Sequence, residues 1–267
     1  MSSKAPVTAD IYRWSGSSLE LLDYCDMTDT AIVAADSWLV DNGRTLALDL
    51  HRTRFLSHAP DASDFWDAAI AAIPREGSCF PRVEFHSNGR MLFRLRSAPE
   101  RTKSVSLVTH QGADPRLTPL VKGPDLDAMR RLRTEAQGLG ADESVILSSD
   151  GYVVEGSYSA LLWWRGAILC SPPAEFDRVP SVTARSLIGL ATALGVEILE
   201  EAVTPAELDG TELWSLNALQ GPRIVTRWVD GPQLAELPGR LAQWRTRLQV
   251  LARPLPLNGP VLGGTAD

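Results

Sequence analysis

Ser149-Asp150-Gly151-Tyr152-Val153-Val154-Glu155, lying one helix and one strand downstream of Leu120-Val121-Lys122-Gly123-Pro124, is the stretch on which the reading of this chain turns. Asp150-Gly151 is a tight-turn pair, since glycine takes positive φ without a steric penalty. It joins a strand over residues 144–149 to a return strand over 152–155 that ends in an acid. The lysine upstream is unusual in this chain. Lys4, Lys103 and Lys122 are the only lysines among 26 basic residues, so arginine carries almost all of the cationic surface. Lys122 stands between an apolar run and Gly-Pro at the start of a helical pattern, rather than on a solvated helix face. Such a lysine is a candidate for carrying a covalent cofactor; a surface lysine at the helix start is the ordinary alternative.

Working outward, residues 125–138 place Leu126, Met129, Leu132 and Ala136 on one helical face. Further on come segments over 159–165 and 167–170, strands are expected over 196–202 and 212–216, and helices over 184–194 and roughly 233–251. Thr204-Pro205-Ala206-Glu207-Leu208 reads as a capped helical turn. Toward the N-terminus, 30–35 and 37–40 read as strands, Asp41-Asn42-Gly43-Arg44 as a hairpin turn, and 64–73 as a helix closed by Pro74. Residues 82–86, 91–96 and 105–108 form a second strand group, whose period-two alternation predicts one wet face. The expected organisation is a small N-terminal domain over 1–114, a Pro- and Gly-marked linker over 115–121, a C-terminal domain over 122–253 and a loose tail over 254–267.

A net charge of −7 and a pI near 5.2 exclude a protein that wraps nucleic acid, whose affinity comes from neutralising phosphates. No run approaches the ~20 apolar residues of a membrane span. The stretch Met1-Ser2-Ser3-Lys4-Ala5-Pro6 lacks the apolar segment of a signal peptide, so the cytoplasm is the expected compartment. Cys25, Cys79 and Cys170 lie far apart in apolar settings with no CxxC pair, so they read as reduced core residues and no metal site is expected. P-loop, HExxH, GxSxG and GxGxxG motifs are all missing.

From Lys122 to Val225 the sequence resembles the class IV aminotransferase family, pyridoxal phosphate enzymes of fold type IV. The family includes branched-chain and D-amino acid aminotransferases and aminodeoxychorismate lyase. The resemblance is carried, in order, by Lys122, Ala141-Asp142-Glu143, the stretch from Ser149 to Gly156, Pro180-Ser181-Val182-Thr183 and Leu194-Gly195-Val196. It implies a two-domain α+β fold of the D-amino acid aminotransferase type, with a small N-terminal α/β domain and a larger C-terminal pseudo-barrel α/β domain. Pyridoxal 5'-phosphate is the implied cofactor.

By the same resemblance Lys122 condenses with the cofactor aldehyde and afterwards shuttles a proton, which requires the amine to be held neutral. Glu155 is implied as the partner of the pyridine nitrogen. The phosphate would meet Val182 and Thr183 at a helix N-terminus, Arg54 in His51-Arg52-Thr53-Arg54-Phe55, and Asn217 in Leu216-Asn217-Ala218-Leu219. Each residue has a plain alternative: a solvated glutamate, an N-cap threonine, a surface arginine, an Asx-turn asparagine. The chain departs from the family at Asp125 and Leu126, at Ala160, at Ser181 and over Ala34-Ala35-Asp36-Ser37-Trp38, the last being a strand that helps build the family's substrate pocket.

Asn217-Ala218-Leu219 resembles the aminodeoxychorismate lyases most, so the sequence leans to a lyase that eliminates pyruvate and leaves 4-aminobenzoate. An aminotransferase of branched-chain or D-amino acid type is the alternative, and a non-catalytic homologue is the third. Arg82, Arg90, Arg94 and Arg96 are candidates for binding substrate carboxylates, with a solvated sheet face as the alternative. The expected substrate is a small amino-acid-like molecule, and the resemblance implies a homodimer.

Overall fold

The computed structural model describes residues 9–22 and 30–256. Lys4, Cys25 and residues 257–267 of the expected tail lie outside the described residues. The chain divides into two compact units, one holding the described residues up to Pro99 together with 252–256, the other holding Glu100–Leu251.

In the first unit the chain runs through β1 (Ala9–Trp14), β2 (Leu19–Leu21), β3 (Ile32–Ser37), β4 (Val40–Asp41), β5 (Arg44–Thr45), α1 (Leu48–Leu56), α2 (Ser63–Ala71), β6 (Ser78–Cys79), β7 (Arg82–His86) and β8 (Met91–Arg96). An antiparallel sheet of order β2-β1-β8-β7-β3 packs one face on the two helices, where Ala34, Val83 and Phe93 meet Trp38, Phe55, Phe65 and Trp66. The β4–β5 hairpin turns on Asn42 (φ 48°) and Gly43 (φ 68°), the positive-φ pair that the Asn-Gly signal predicts. The face of β7 and β8 expected to be wet is half-buried. Glu84 is 1 % exposed there and takes Arg82, Arg94 and His86 as partners, because two guanidinium groups and an imidazole on one face can bury a carboxylate that water would otherwise claim.

The second unit runs through β9 (Ser104–Thr109), α3 (Leu126–Gly138), β10 (Glu143–Leu147), β11 (Val153–Gly156), β12 (Ala160–Arg165), β13 (Ile168–Ser171), α4 (Val182–Ala193), β14 (Ile198–Glu200), β15 (Glu212–Asn217), β16 (Gly221–Val229) and α5 (Arg240–Val250). Its eight strands form one curled sheet of order β11-β10-β9-β16-β15-β12-β13-β14. The Val153 N–H donates to the Val203 carbonyl at 2.8 Å and ties the β11 edge to the segment after β14. This mixed sheet with flanking helices matches the expected pseudo-barrel. Ser181 caps α4 by accepting from the Ala184 N–H at 3.2 Å, and Gly195 (φ 75°) ends it with bonds from Gly195 to Thr192 and Val196 to Ala191.

Four features differ from the sequence-based expectation. The strand expected at 105–108 pairs in parallel with both β10 and β16, so it belongs to the larger sheet, and the units part at Pro99 rather than at 114. Strand β16 was not expected, because Pro222, Arg223 and Arg227 interrupt its apolar run. Helix α5 begins at Arg240 rather than near 233, since Leu237-Pro238-Gly239 blocks a helix before it. A last strand, β17 (Arg253–Pro254), pairs with β5 and buries Leu255, so the start of the expected loose tail is tied into the first unit.

Candidate active site

Lys122 sits on the loop that leads into α3, and that loop is stapled from within. The Asp125 carboxylate accepts from the N–H groups of Leu117 and Thr118, each at 2.9 Å, and from the Thr118 hydroxyl at 3.1 Å. The departure from the family at Asp125 therefore has a local job. Lys122 is half-buried, and its charge acts on Glu155.

Glu155 lies on β11, 7 % exposed. Its direction is fixed by the next residue: a Cβ on Gly156 would stand 2.6 Å from Ser159 Oγ, so only glycine lets β11 close onto that serine. Behind this turn the buried Glu143 accepts from Ser159 Oγ at 2.7 Å and from Arg223 Nη2 at 2.6 Å. The expected element Ala141-Asp142-Glu143 thus supports the strand that presents Glu155. Burial pushes the Glu155 carboxyl up to about 7, against the pull of Arg116, the Val179 N–H and Lys122. Arg116 was not expected at the site. Its Nη1 donates to Glu155 Oε1, while its Nη2 donates to Asp114 Oδ2 at 2.6 Å. No sequence pattern marked it, since it lies in a connection without periodicity.

Val179 joins Glu155 to the start of α4. Val182 and Thr183, each 3 % exposed, open that helix, and their N–H groups have no place in its own ladder. A buried helix N-terminus of this kind suits an anion. Thr183 is not the N-cap; Ser181 is, where the family has glycine. Lys122, Glu155 and the α4 start thus belong to one unit, with Glu155 in electrostatic contact with Lys122 and hydrogen-bonded to the loop before α4. Asn217 ends β15 in the same unit, where its Oδ1 accepts from the N–H groups of Leu219 and Gln220 at 3.1 and 2.8 Å. Its carbonyl is committed to its own turn.

Arg54 lies in the first unit and is not a surface arginine. Its Nε and Nη2 grip the two oxygens of Asp36 at 2.8 and 2.7 Å, and His51 Nδ1 lies 2.9 Å from Asp36 Oδ1. Burial alone would raise the Asp36 carboxyl; His51 and Arg54 reverse this and hold it well below the usual carboxylate range. The altered strand Ala34–Trp38 therefore supplies the acid that orients Arg54.

The family profile described as Amino-transferase class IV matches residues 34–228. The chain belongs to the class IV aminotransferase family. Among its relatives, a branched-chain-amino-acid aminotransferase of Salmonella typhimurium is 28 % identical over 116 residues, 43 % of this chain and 37 % of that protein. The match therefore spans little more than a third of that relative's length. A fold IV transaminase from Curtobacterium pusillum superposes with a TM-score of 0.75 at 18 % identity, covering 90 % of this chain and 97 % of that one. A branched-chain aminotransferase from Thermoproteus uzoniensis gives 0.75 at 18 %, covering 92 % and 100 %. These likenesses establish the fold.

Pyridoxal phosphate is the cofactor of class IV aminotransferases, and the residues present fit it. An amine, a buried carboxylate and a buried helix N-terminus correspond in kind to an aldehyde, a ring nitrogen and a phosphate. Among the described residues no cluster of acids, histidines and cysteines could hold a metal ion, no helix is long and apolar enough to cross a membrane, and Cys79 and Cys170 are free and buried.

Proposed function

We propose that this class IV aminotransferase moves an amino group from an amino acid to a 2-oxo acid, with Lys122 as its catalytic amine. The supporting observation is that the charge of Lys122 acts on a buried carboxylate, Glu155, which is tied to the loop before α4. Pyridoxal phosphate, when bound, supplies an aldehyde for amine exchange and a ring that accepts the electron pair released at the substrate Cα. Lys122 would hold the cofactor through its amine and, as a free base, would move the proton between the substrate Cα and the cofactor carbon. Glu155 would hold the ring nitrogen in its protonated form. Within the second unit, Val182, Thr183 and Asn217 are the proposed phosphate contacts.

The first unit carries an arginine cluster of its own. Arg82 and Arg94 share Glu84, and Arg96 lies beside them against the Phe80 ring at 5.0 Å. Burial and the neighbouring Arg82 bring Arg96 down to about 10. Three guanidinium groups gather around one buried carboxylate. The named relatives favour transfer over elimination. The lyase reading keeps one specific support, Asn217-Ala218-Leu219 at the β15–β16 turn, and the turn-capping role of Asn217 explains that asparagine without a lyase.

The deciding assay offers the protein, loaded with pyridoxal phosphate, branched-chain L-amino acids and D-alanine with 2-oxoglutarate. In parallel it offers aminodeoxychorismate. Glutamate formation without pyruvate from aminodeoxychorismate is the expected result. Pyruvate and 4-aminobenzoate without amino transfer would replace the transferase reading with the lyase.

A further inference from the structure

We propose that Arg116 is a positioning residue of this site, which together with Asp114 holds the Glu155 carboxylate ionised and aimed for the protonated ring nitrogen of a bound pyridoxal cofactor. The inference rests on the cofactor reading above.

Its geometric basis is a three-residue chain of charge. Arg116 Nη1 donates to Glu155 Oε1, and both side chains are nearly withdrawn from water, at 3 % and 9 % exposure. The guanidinium is held from its other side by Asp114, which takes Nη2 at 2.6 Å, Nε at 2.9 and 3.1 Å to its two oxygens, and the Arg116 backbone N–H at 3.0 Å. Arg116 therefore has a fixed fork rather than a mobile tip. The loop that carries it is fastened again at its next two residues, Leu117 and Thr118, by Asp125 and then delivers Lys122. One short segment thus sets the catalytic amine and the cation facing its acid, and the spacing between them is kept by backbone bonds.

The need for such a cation follows from the burial of Glu155. A carboxyl withdrawn from water favours its neutral form, and a neutral carboxyl cannot hold a pyridinium. The groups facing Glu155 are Arg116 and Lys122 on this loop and Arg178 with the Val179 N–H on the loop before α4; Asp114 and, beyond it, His110 stand behind Arg116. Of these cations, Lys122 would have its amine committed to the cofactor, and Arg178 spends its donors on the carbonyls of Pro172, Pro173 and Phe176. Arg116 donates a hydrogen bond to Glu155 directly. Asp114 tempers it, since it shares the same positive charge.

The test uses pyridoxamine phosphate, which lacks the aldehyde and so binds without bonding to Lys122. Calorimetric titration from pH 6 to 9 reads its affinity in the full-length wild type, Arg116→Gln, Arg116→Lys, Asp114→Asn and Glu155→Gln. The probe's own titrations are common to all variants, so differences report the protein. In the wild type the affinity rises with pH as Glu155 ionises. Arg116→Gln is expected to move that rise to higher pH and weaken binding about tenfold at pH 7, the equivalent of one unit. Arg116→Lys restores most of the affinity, and Asp114→Asn moves the rise the opposite way, a shift that general damage to the fold would not produce. In a Glu155→Gln background Arg116→Gln adds nothing further. An unchanged pH profile in Arg116→Gln and Asp114→Asn, or an Arg116→Gln effect undiminished without Glu155, overturns the inference while leaving the cofactor reading intact. Failure of the wild type to bind the probe overturns both.

Discussion

Asp36 and Glu155 are both carboxylates buried beside an arginine, one in each unit, and their surroundings push them in opposite directions. Asp36 receives both prongs of Arg54 and a ring nitrogen of His51, and it is held well below the usual carboxylate range. Glu155 receives one nitrogen of an arginine that also serves Asp114, together with the Val179 N–H, and it rises to about 7. The first acid is saturated, and its work is to fix Arg54 and the strand–helix junction. The second is short of partners, and a buried acid short of partners is suited to receive one. The difference between the two separates an anchor from a site, although both look alike as Arg–carboxylate pairs.

That contrast can be broken from either side. The largest effect is expected from Lys122→Ala, which removes the amine beside Glu155; transamination should fall on the order of 10⁴-fold, read by glutamate formation. Glu155→Gln keeps the shape and removes the charge, and turnover should fall about 10²–10³-fold with the fold preserved by circular dichroism. Asp36→Ala acts on the anchor instead. It leaves Arg54 and His51 buried without their acid and should cost about 3–5 kcal/mol in urea unfolding.

The two acids also predict opposite pH limbs for the cofactor-free protein. Asp36 binds its proton less readily when folded, so its stabilisation is complete above its unfolded value of 3.8 and is lost as pH falls further. Glu155 binds its proton more readily when folded, so stability declines as pH rises from 4.5 to about 7 and is level above that. Integrated over that window the decline is on the order of 3 kcal/mol. Denaturant unfolding from pH 4 to 8 should show this limb in the wild type and lose it in Glu155→Gln; an unchanged limb in the variant would assign it to other groups. The smallest effect is expected from Asn217→Ala, about 1 kcal/mol from the lost turn cap.

Much of the second unit could be read from the sequence because its signals are local. The turn pair at Asp150-Gly151, the helical face of Met129, Leu132 and Ala136, and the Ser181 start of α4 each act within a few residues. Lys122 stood out through its rarity, and Glu155 through its place after a turn. What stayed hidden depends on contacts distant in sequence. Strand β16 holds its place by ladders to β9 and β15 despite Pro222 and two arginines. Arg116 meets Glu155 across 39 residues. In the first unit, α1 turns little more than His51 and Phe55 inward, too few for a helical period to show, and Asp36 gains its meaning only when Arg54 folds against it.

The central claim, that Lys122 is the residue that takes the cofactor, is tested most directly by incubating the protein with pyridoxal phosphate, reducing with borohydride and mapping the modified peptide by mass spectrometry. Only three lysines can react in this chain. The account predicts one cofactor per chain, on the peptide holding Lys122, and none in Lys122→Ala. Modification confined to Lys4 or Lys103, or no modification at all, would contradict it.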